Sequence, residues 1–486
     1  MGLENRRRFL ASAGLGLGLG CSAAGAHRGL GEPVLLAETS PAAAPQDLGE
    51  RPPRPPAGVR VLNPRNRTPL SLIIDDSTCL VNLAHFCIPQ FQEVFPDEYR
   101  QPWKTLPREI PDAFVRKFAF WCHERGIKGK YSLIPYPACV GWVDRDLPGW
   151  SRRELEASLD LVRTMVMPDW DLHPEIVSHT WVVDTKTGRP HPERTADYME
   201  NWGWSVGKSA DQLGDYLSYA LRILDNVGVK CTGITTPGGF GIRALPELAQ
   251  ATLQSCRDVF RAEIPHYYRH AYTDAHSVAP RVEYASGHDG PDPRCVVSII
   301  ACTGDWFGGW DGLTPGSADQ FITADFKGGR LPEVIARGEP AIMACHWPGI
   351  YFNGQEVGFK IFQEVVRRLH AAYDNLIWMK LSAIARYWAA RELTRIERTG
   401  RGHLDLKAPF ACPGFTVRIN RPEFSGAGPD KELPPANLHL STEGKTVALA
   451  PVVKPHQLDT GTFSQQGKDV IVCFDLPRGP SRLVLE

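Results

Sequence analysis

The sequence has no excess of charge: 54 basic and 55 acidic side chains leave a formal net charge of -1. A chain that tracks nucleic-acid phosphates shows a basic stripe, so this balance excludes a dedicated nucleic-acid binder. It fits a neutral, sugar-like ligand better than a polyanion. No apolar run approaches the roughly 20 residues needed to cross about 30 Å of hydrocarbon. The twelve cysteines contain no CxxC pair, which leaves a cysteine-based zinc site without footing. Cys231, Cys302 and Cys345 lie in or beside apolar runs, where a buried free thiol behaves as a small hydrophobe. No internal repeat of fixed period is visible. What the chain has in quantity is Gly (45), Pro (41) and Trp (13). Average usage is about 7% Gly and 5% Pro, so long loops are expected on a core that 43% hydrophobic residues can still fill.

Residues 1–26 read as an export signal. Arg6-Arg7-Arg8-Phe9-Leu10 is a twin-arginine pattern, Ala11 to Gly20 is short and mildly apolar, and Ala24-Gly25-Ala26 suits cleavage. Cys21 is a candidate for an N-terminal lipid anchor. The expected location is the periplasm or cell envelope. Residues 27–66, with Arg51-Pro52-Pro53-Arg54-Pro55-Pro56, read as a Pro-rich linker.

From residue 67 strand and helix patterns alternate. Seven short apolar runs read as buried strands: Leu70–Ile74, Lys130–Ile134, Glu175–Ser178, Cys231–Thr235, Cys295–Ala301, Ala341–Cys345 and Leu376–Met379. Helical periods lie between them. Ser151 with Glu154 and Ser209 with Gln212 form capping boxes ahead of two of these helices. Strand–helix alternation predicts an α/β fold, a distorted (β/α)7 barrel over residues 67–395. His266-Tyr267-Tyr268-Arg269-His270 reads as a helix-to-loop stretch with a structural aromatic cluster. After residue 396, short β-type runs between Pro, Gly and Asn clusters predict a small β-sandwich over 396–486.

A parallel α/β barrel carries its site at the C-terminal ends of its strands. These ends hold Asp75-Asp76, His179, Thr235-Thr236-Pro237-Gly238-Gly239, Asp305-Trp306 and His346-Trp347. Adjacent carboxylates allow one to bind a cation while the other serves as a general base. A His with an Asp suits Zn²⁺ or a similar divalent ion, and a second His can protonate a leaving group. Trp181, Trp306 and Trp347 are candidate sugar platforms, with Pro237, Gly238 and Gly239 as a substrate-facing turn.

These motifs, in this order, resemble the polysaccharide deacetylase family of the NodB-homology type, in the glycoside hydrolase/deacetylase superfamily. Ser71-Leu72-Ile73-Ile74-Asp75-Asp76 is similar to its first motif. His173 to Trp181 is similar to the stretch ending in its His-Ser/Thr motif. Gly304-Asp305-Trp306 is similar to its Asp-Trp motif, and Ile342 to His346 to the strand with its late histidine. The resemblance implies a seven-stranded distorted barrel, Asp75 as general base, Asp76 and His179 as metal ligands, His346 as general acid and Asp305 as its orienting partner. Two positions depart from the pattern. Val183 stands where the family has a second metal histidine, and Thr236 where it has an arginine beside the base. Candidates for a third ligand are His85, Asp184 and His191.

The leading expectation is a metal-assisted hydrolase that deacetylates a polysaccharide or related glycan. A metal-free glycosidase-like hydrolase, with Asp75 or Asp76 paired to Asp184 or Asp305, is a second. A non-catalytic glycan-binding protein on a decayed deacetylase scaffold is a third.

Overall fold

The computed structural model describes residues 46–425, 436–442 and 444–486. The export signal and Cys21 lie outside the described residues. Elements used below are β1 (Thr68–Asp75), α1 (Leu83–Val94), α2 (Asp112–His123), β2 (Gly129–Ser132), α3 (Arg152–Leu161), β3 (Trp170–His173), α4 (Ala210–Asn226), β4 (Gly233–Thr235), α5 (Leu245–Phe260), β5 (His266–Ala271), β6 (Arg281–Ser286), β7 (Arg294–Ala301), β8 (Ala341–His346), α6 (Val357–Ala372), β9 (Leu376–Trp378) and α7 (Leu381–Leu393).

The fold is mixed α/β. One sheet runs β8-β1-β2-β3, with β9 also on β1, and all these pairs are parallel. A second sheet runs β6-β7-β5-β4. Its β7-β5 and β5-β4 pairs are parallel, and β6-β7 is an antiparallel hairpin. At one junction between the sheets, Glu175 and Thr235 form an isolated parallel bridge. At the other, Cys302 N–H donates to the Ile342 carbonyl at 2.7 Å. The expected seven-stranded barrel is therefore not present as one closed ladder among the described residues.

Helix starts follow local sequence. Both capping boxes form, Ser151 with Glu154 at α3 and Ser209 with Gln212 at α4. The apolar face of α4, through Leu213, Leu217, Leu221 and Leu224, is fully buried. That burial, rather than propensity, supplies most of a helix's stability.

Three expectations need correction. The third strand is Trp170–His173, and Ile176 to His179 form a turn beyond it. Polar Asp171 and His173 mask the strand in the sequence, whereas Ile176 and Val177 imitate one. His266-Tyr267-Tyr268-Arg269-His270 is not helix-to-loop but the interior strand β5, buried along its whole length. Residues expected as linker are also structured in part. Leu48–Gly49 pairs parallel with β6, and Val59–Val61 pairs antiparallel with Val417–Ile419. Alternating burial of Val59 and Val61 around exposed Arg60 fits an edge strand.

Beyond α7 lie the strands of two five-stranded sheets, one including Arg395–Gly400, His403–Ala408 and Gly479–Leu485, the other built around Cys412–Asn420 and Asp469–Leu476 and completed by Val59–Val61. Helix α7 packs between strands β5–β7 and the Cys412–Asn420 strand. Leu381, Ile384, Ala385, Tyr387, Trp388, Ala389, Ala390 and Leu393 are all buried, so it is apolar on more than one face, as an interior helix must be. Its Tyr387 hydroxyl donates to the Leu62 carbonyl at 2.7 Å and accepts from Thr416 N–H at 3.2 Å. The described cysteines are all free, and no described helix is long and apolar enough to cross a membrane.

Candidate metal and catalytic site

Asp75 ends β1 and its backbone pairs with His346 at the end of β8. This register sets two of the expected site residues side by side. The next residue, Asp76, has φ +58°, and His179 has φ +66°. Non-glycine residues reach this left-handed region only when their surroundings hold them there, and such positions gather at functional sites.

Glu200 does the holding at His179. Its carboxylate is fully buried and accepts the N–H groups of Val177 (3.2 Å), Ser178 (3.0 Å) and His179 (2.6 Å). The Tyr216 hydroxyl donates to it at 2.6 Å. Burial pushes Glu200 up to about 7, against the pull of Tyr216 and these backbone donors.

Asp76, Glu175 and His179 present one ligand atom each within 4.8 Å of one another. His179 Nε2 lies 3.1 Å from Asp76 Oδ1, and His179 Nδ1 lies 2.9 Å from Glu175 Oε2. Yet Asp76 Oδ1, Glu175 Oε2 and His179 Nδ1 make no hydrogen bond of acceptable geometry. They face one another as ion pairs without well-formed hydrogen bonds, an arrangement that also suits ligand atoms turned toward a cation. One imidazole and two carboxylates form a donor set suited to a divalent metal ion. The residues therefore fit the ion that the resemblance implies.

Glu175 is fixed by its other oxygen, Oε1. It accepts from Asp76 N–H at 3.0 Å and from Lys130 Nζ at 3.4 Å, and takes a short hydrogen bond from Ser132 Oγ. Burial alone would raise its pKa, but Lys130, His179 and Ser132 together reverse the direction and keep it ionised. For His179, burial opposes the charge, and Asp76 and Glu175 overcome it, moving the ring up to about 8.

Lys130 is completely buried within β2 and reaches Asp75 Oδ1 at 2.5 Å. Burial raises Asp75 to about 7, with Lys130 pulling against it. A carboxylate poised there suits a general base near neutral pH. Opposite, His346 Nδ1 sits 2.8 and 2.9 Å from the two Asp305 oxygens, and its backbone N–H donates to Oδ1 at 3.1 Å. Burial disfavours the imidazolium, but Asp305 and Asp76 outweigh this and lift it to about 10. Asp305 takes Nδ1 and leaves Nε2 as the nitrogen that can serve a substrate.

Asp75, Glu175, His179 and His346 line one cavity with Thr235, Thr236, Pro237, Gly238, Tyr268 and Arg269. Gly238 has φ +42°, and a Cβ there would fall 2.7 Å from the Asn201 carbonyl, so only glycine fits this turn. Gly239 is occupied differently, its N–H bonding the Asn201 carbonyl at 2.5 Å.

The three candidates for a third ligand lie elsewhere. His85 Nδ1 meets the Leu106 carbonyl at 2.9 Å. Asp184 accepts from Lys186 N–H and Thr187 Oγ1 in a surface turn. His191 packs at a tilt against Tyr198 and is 4.0 Å from Glu193. Glu175, four residues before His179, completes the group instead. Val183 is buried in the main core, with its N–H on the Tyr216 hydroxyl. The sugar-platform expectation also needs correction. Trp347 is fully buried against Phe114, Phe118 and Tyr131, and Trp181 is 3% exposed beneath Arg194. Neither indole offers a face to solvent. Trp306 is half-buried beside Asp305.

Sequence reasoning missed Glu175, Lys130, Glu200 and Arg269. A usable signal was there for two of them: Lys130 and Glu175 are charged residues inside runs read as buried strands. Such residues need partners or an ion.

No protein-family model matches the chain, and no curated protein matches it. Among solved structures, one titled "Glycoside hydrolase" is similar at 9% sequence identity and a TM-score of 0.25, covering 77% of this chain and 89% of that chain. A likeness at that level assigns neither fold nor activity.

Proposed function

We propose that the protein is a metal-assisted hydrolase that removes an acyl group, most simply acetyl, from a glycan. The observation that carries this reading is the buried Asp76–Glu175–His179 group, two of whose members line one cavity with the Asp75 base and the His346 that Asp305 holds. We read the β8-β1-β2-β3 and β6-β7-β5-β4 sheets, parallel apart from the β6–β7 hairpin, as halves of a barrel interrupted at its two junctions. The twin-arginine pattern favours an envelope location.

Asp76, Glu175 and His179 would hold a divalent ion, zinc being the simplest choice for this donor set. When bound, the ion supplies Lewis acidity toward a carbonyl oxygen. Asp75, positioned by Lys130, takes the proton of the attacking water. His346, aligned by Asp305, gives a proton to the sugar oxygen or nitrogen as its bond to the acyl carbon breaks. The acyl group leaves as a carboxylic acid and the sugar regains its hydroxyl or amine.

The test starts with the metal content of the purified full chain. Stoichiometric metal, lost in His179→Ala and reduced in Glu175→Gln, is expected. Acetate release from acetylated oligosaccharides should then fail in Asp75→Asn. Full activity in metal-free protein would overturn the metal's role. Bound metal without acyl release from N- or O-acetylated sugars would overturn deacylation.

A further inference from the structure

Arg269 lines the same cavity but has no part in the chemistry above. Its side chain is buried, at 7% exposure, and its Nε has no hydrogen-bond partner. No carboxylate pairs with it among the described residues. Burying a guanidinium without a counter-ion is costly. Asp75, which lines the same cavity, is already held by Lys130.

The backbone explains how Arg269 reaches this position. Along β5 and β7, Tyr268 pairs with Ile299 and His270 with Ile300, so Arg269 is an extra residue at a β-bulge. Successive side chains of a regular strand point to opposite faces. The bulge breaks that rule, and both Tyr268 and Arg269 line the cavity. Bulges beside active sites commonly re-aim a side chain in this way.

We infer that Arg269 binds a carboxylate of the substrate, so that the glycan carries an acidic sugar unit at or next to the acylated one. This rests on the hydrolase reading for its context, but not for its test. The planar fork of a guanidinium matches a carboxylate with two parallel hydrogen bonds. Asp75 and Glu175 in the same cavity would repel a doubly charged phosphate more than a singly charged carboxylate. The net charge of -1 is compatible: the acid is recognised by one buried residue, not by a long-range field.

The experiment compares two acetylated oligomers on the full chain. One is O-acetylated oligogalacturonate, the other the matched O-acetylated oligogalactan with CH₂OH in place of each carboxylate. The wild-type protein should favour the uronate in kcat/KM by on the order of 10- to 100-fold. Arg269→Gln should erase that ratio mainly through KM, and Arg269→Lys should keep part of it. Calorimetric binding of unacetylated trigalacturonate to wild type and Arg269→Gln reads the same residue without turnover. Acyl release with equal kcat/KM on both oligomers overturns the inference and leaves the hydrolase reading standing. Uronate binding that depends on Arg269, without acyl release from any sugar, supports the inference and removes the hydrolase reading. Tight binding of a sulfated galactan in place of the uronate overturns the carboxylate assignment. The wild-type preference needs no variant, so a misfolded Arg269→Gln leaves the test decisive.

Discussion

Lys130 Nζ lies 2.5 Å from Asp75 Oδ1 and 3.4 Å from Glu175 Oε1, with the lysine wholly excluded from solvent. One ammonium thus serves both the group read as the base and the group read as a ligand.

Lys130→Met should therefore do two things. Removing the cation takes the ion-pair partner from buried Asp75 and one of several partners from Glu175, a loss of about 3–5 kcal/mol in stability, readable as a lower denaturation midpoint. Lys130 also pulls Asp75 down against burial, so its loss raises that carboxyl further. The base must be ionised to act, so the acidic limb of the kcat/KM profile should move to higher pH. An unmoved limb would remove Asp75 from the base role.

Asp305→Asn should move the other limb. Burial works against the His346 imidazolium, and the Asp305 charge is the largest influence lifting it to about 10. A general acid acts only while protonated. With the charge gone its proton is lost at lower pH, and the alkaline fall in activity should begin earlier. An isosteric substitution keeps the ring's neighbour in place, so activity at acidic pH should suffer less than at alkaline pH.

His173 and His266 form a second buried pair, Nε2 to Nε2 at 3.0 Å, made possible by the missing Cβ of Gly233, which would meet both rings at 2.7 Å. Burial lowers the pKa of each, and mutual repulsion adds to it for His173. The sign follows from proton uptake. Below the ordinary histidine pKa of about 6.5 the unfolded chain binds protons that the folded chain refuses. Stability is therefore full above that pH and falls below it, by up to about 1.4 kcal/mol per pH unit for each histidine. Chemical denaturation at stepped pH should show this acid loss, and His266→Gln should reduce its slope.

The two rim tryptophans predict opposite phenotypes. Trp347→Ala empties a fully buried site and should cost about 3–5 kcal/mol of stability. Trp306 is half-buried beside Asp305 and packs edge-on against Phe321, so the same change should cost less stability than at Trp347 and also show in KM. Thermal melts with substrate kinetics on both variants separate these outcomes.

Where chemistry was written into short motifs, the sequence could be read directly. Asp75, Asp76, Asp305 and His346 end or follow strands whose local pattern is strong, whereas His179 lies on a turn beyond a strand the sequence masks, and only its short motif points to it. Ser151 and Ser209 cap the helices their spacing announced. What escaped depends on partners distant in the chain. Strand β5 is polar and aromatic yet buried on both faces, so it carries no alternation to recognise. Glu200 acts through backbone N–H groups over twenty positions away, contacts that side-chain motifs do not encode. The bulge at Arg269 is a property of the β5–β7 register, not of five residues taken alone.

The short strand Val59–Val61 completes a sheet whose other strands come from residues beyond 411. During synthesis this segment leaves the ribosome long before Val417–Ile419 exist, so it must wait unpaired until those residues have been made. The seam also makes the C-terminal region a poor unit for transplantation. Expressed without residues 59–61, it would carry an unpaired Cys412–Asn420 edge, a surface that recruits other chains.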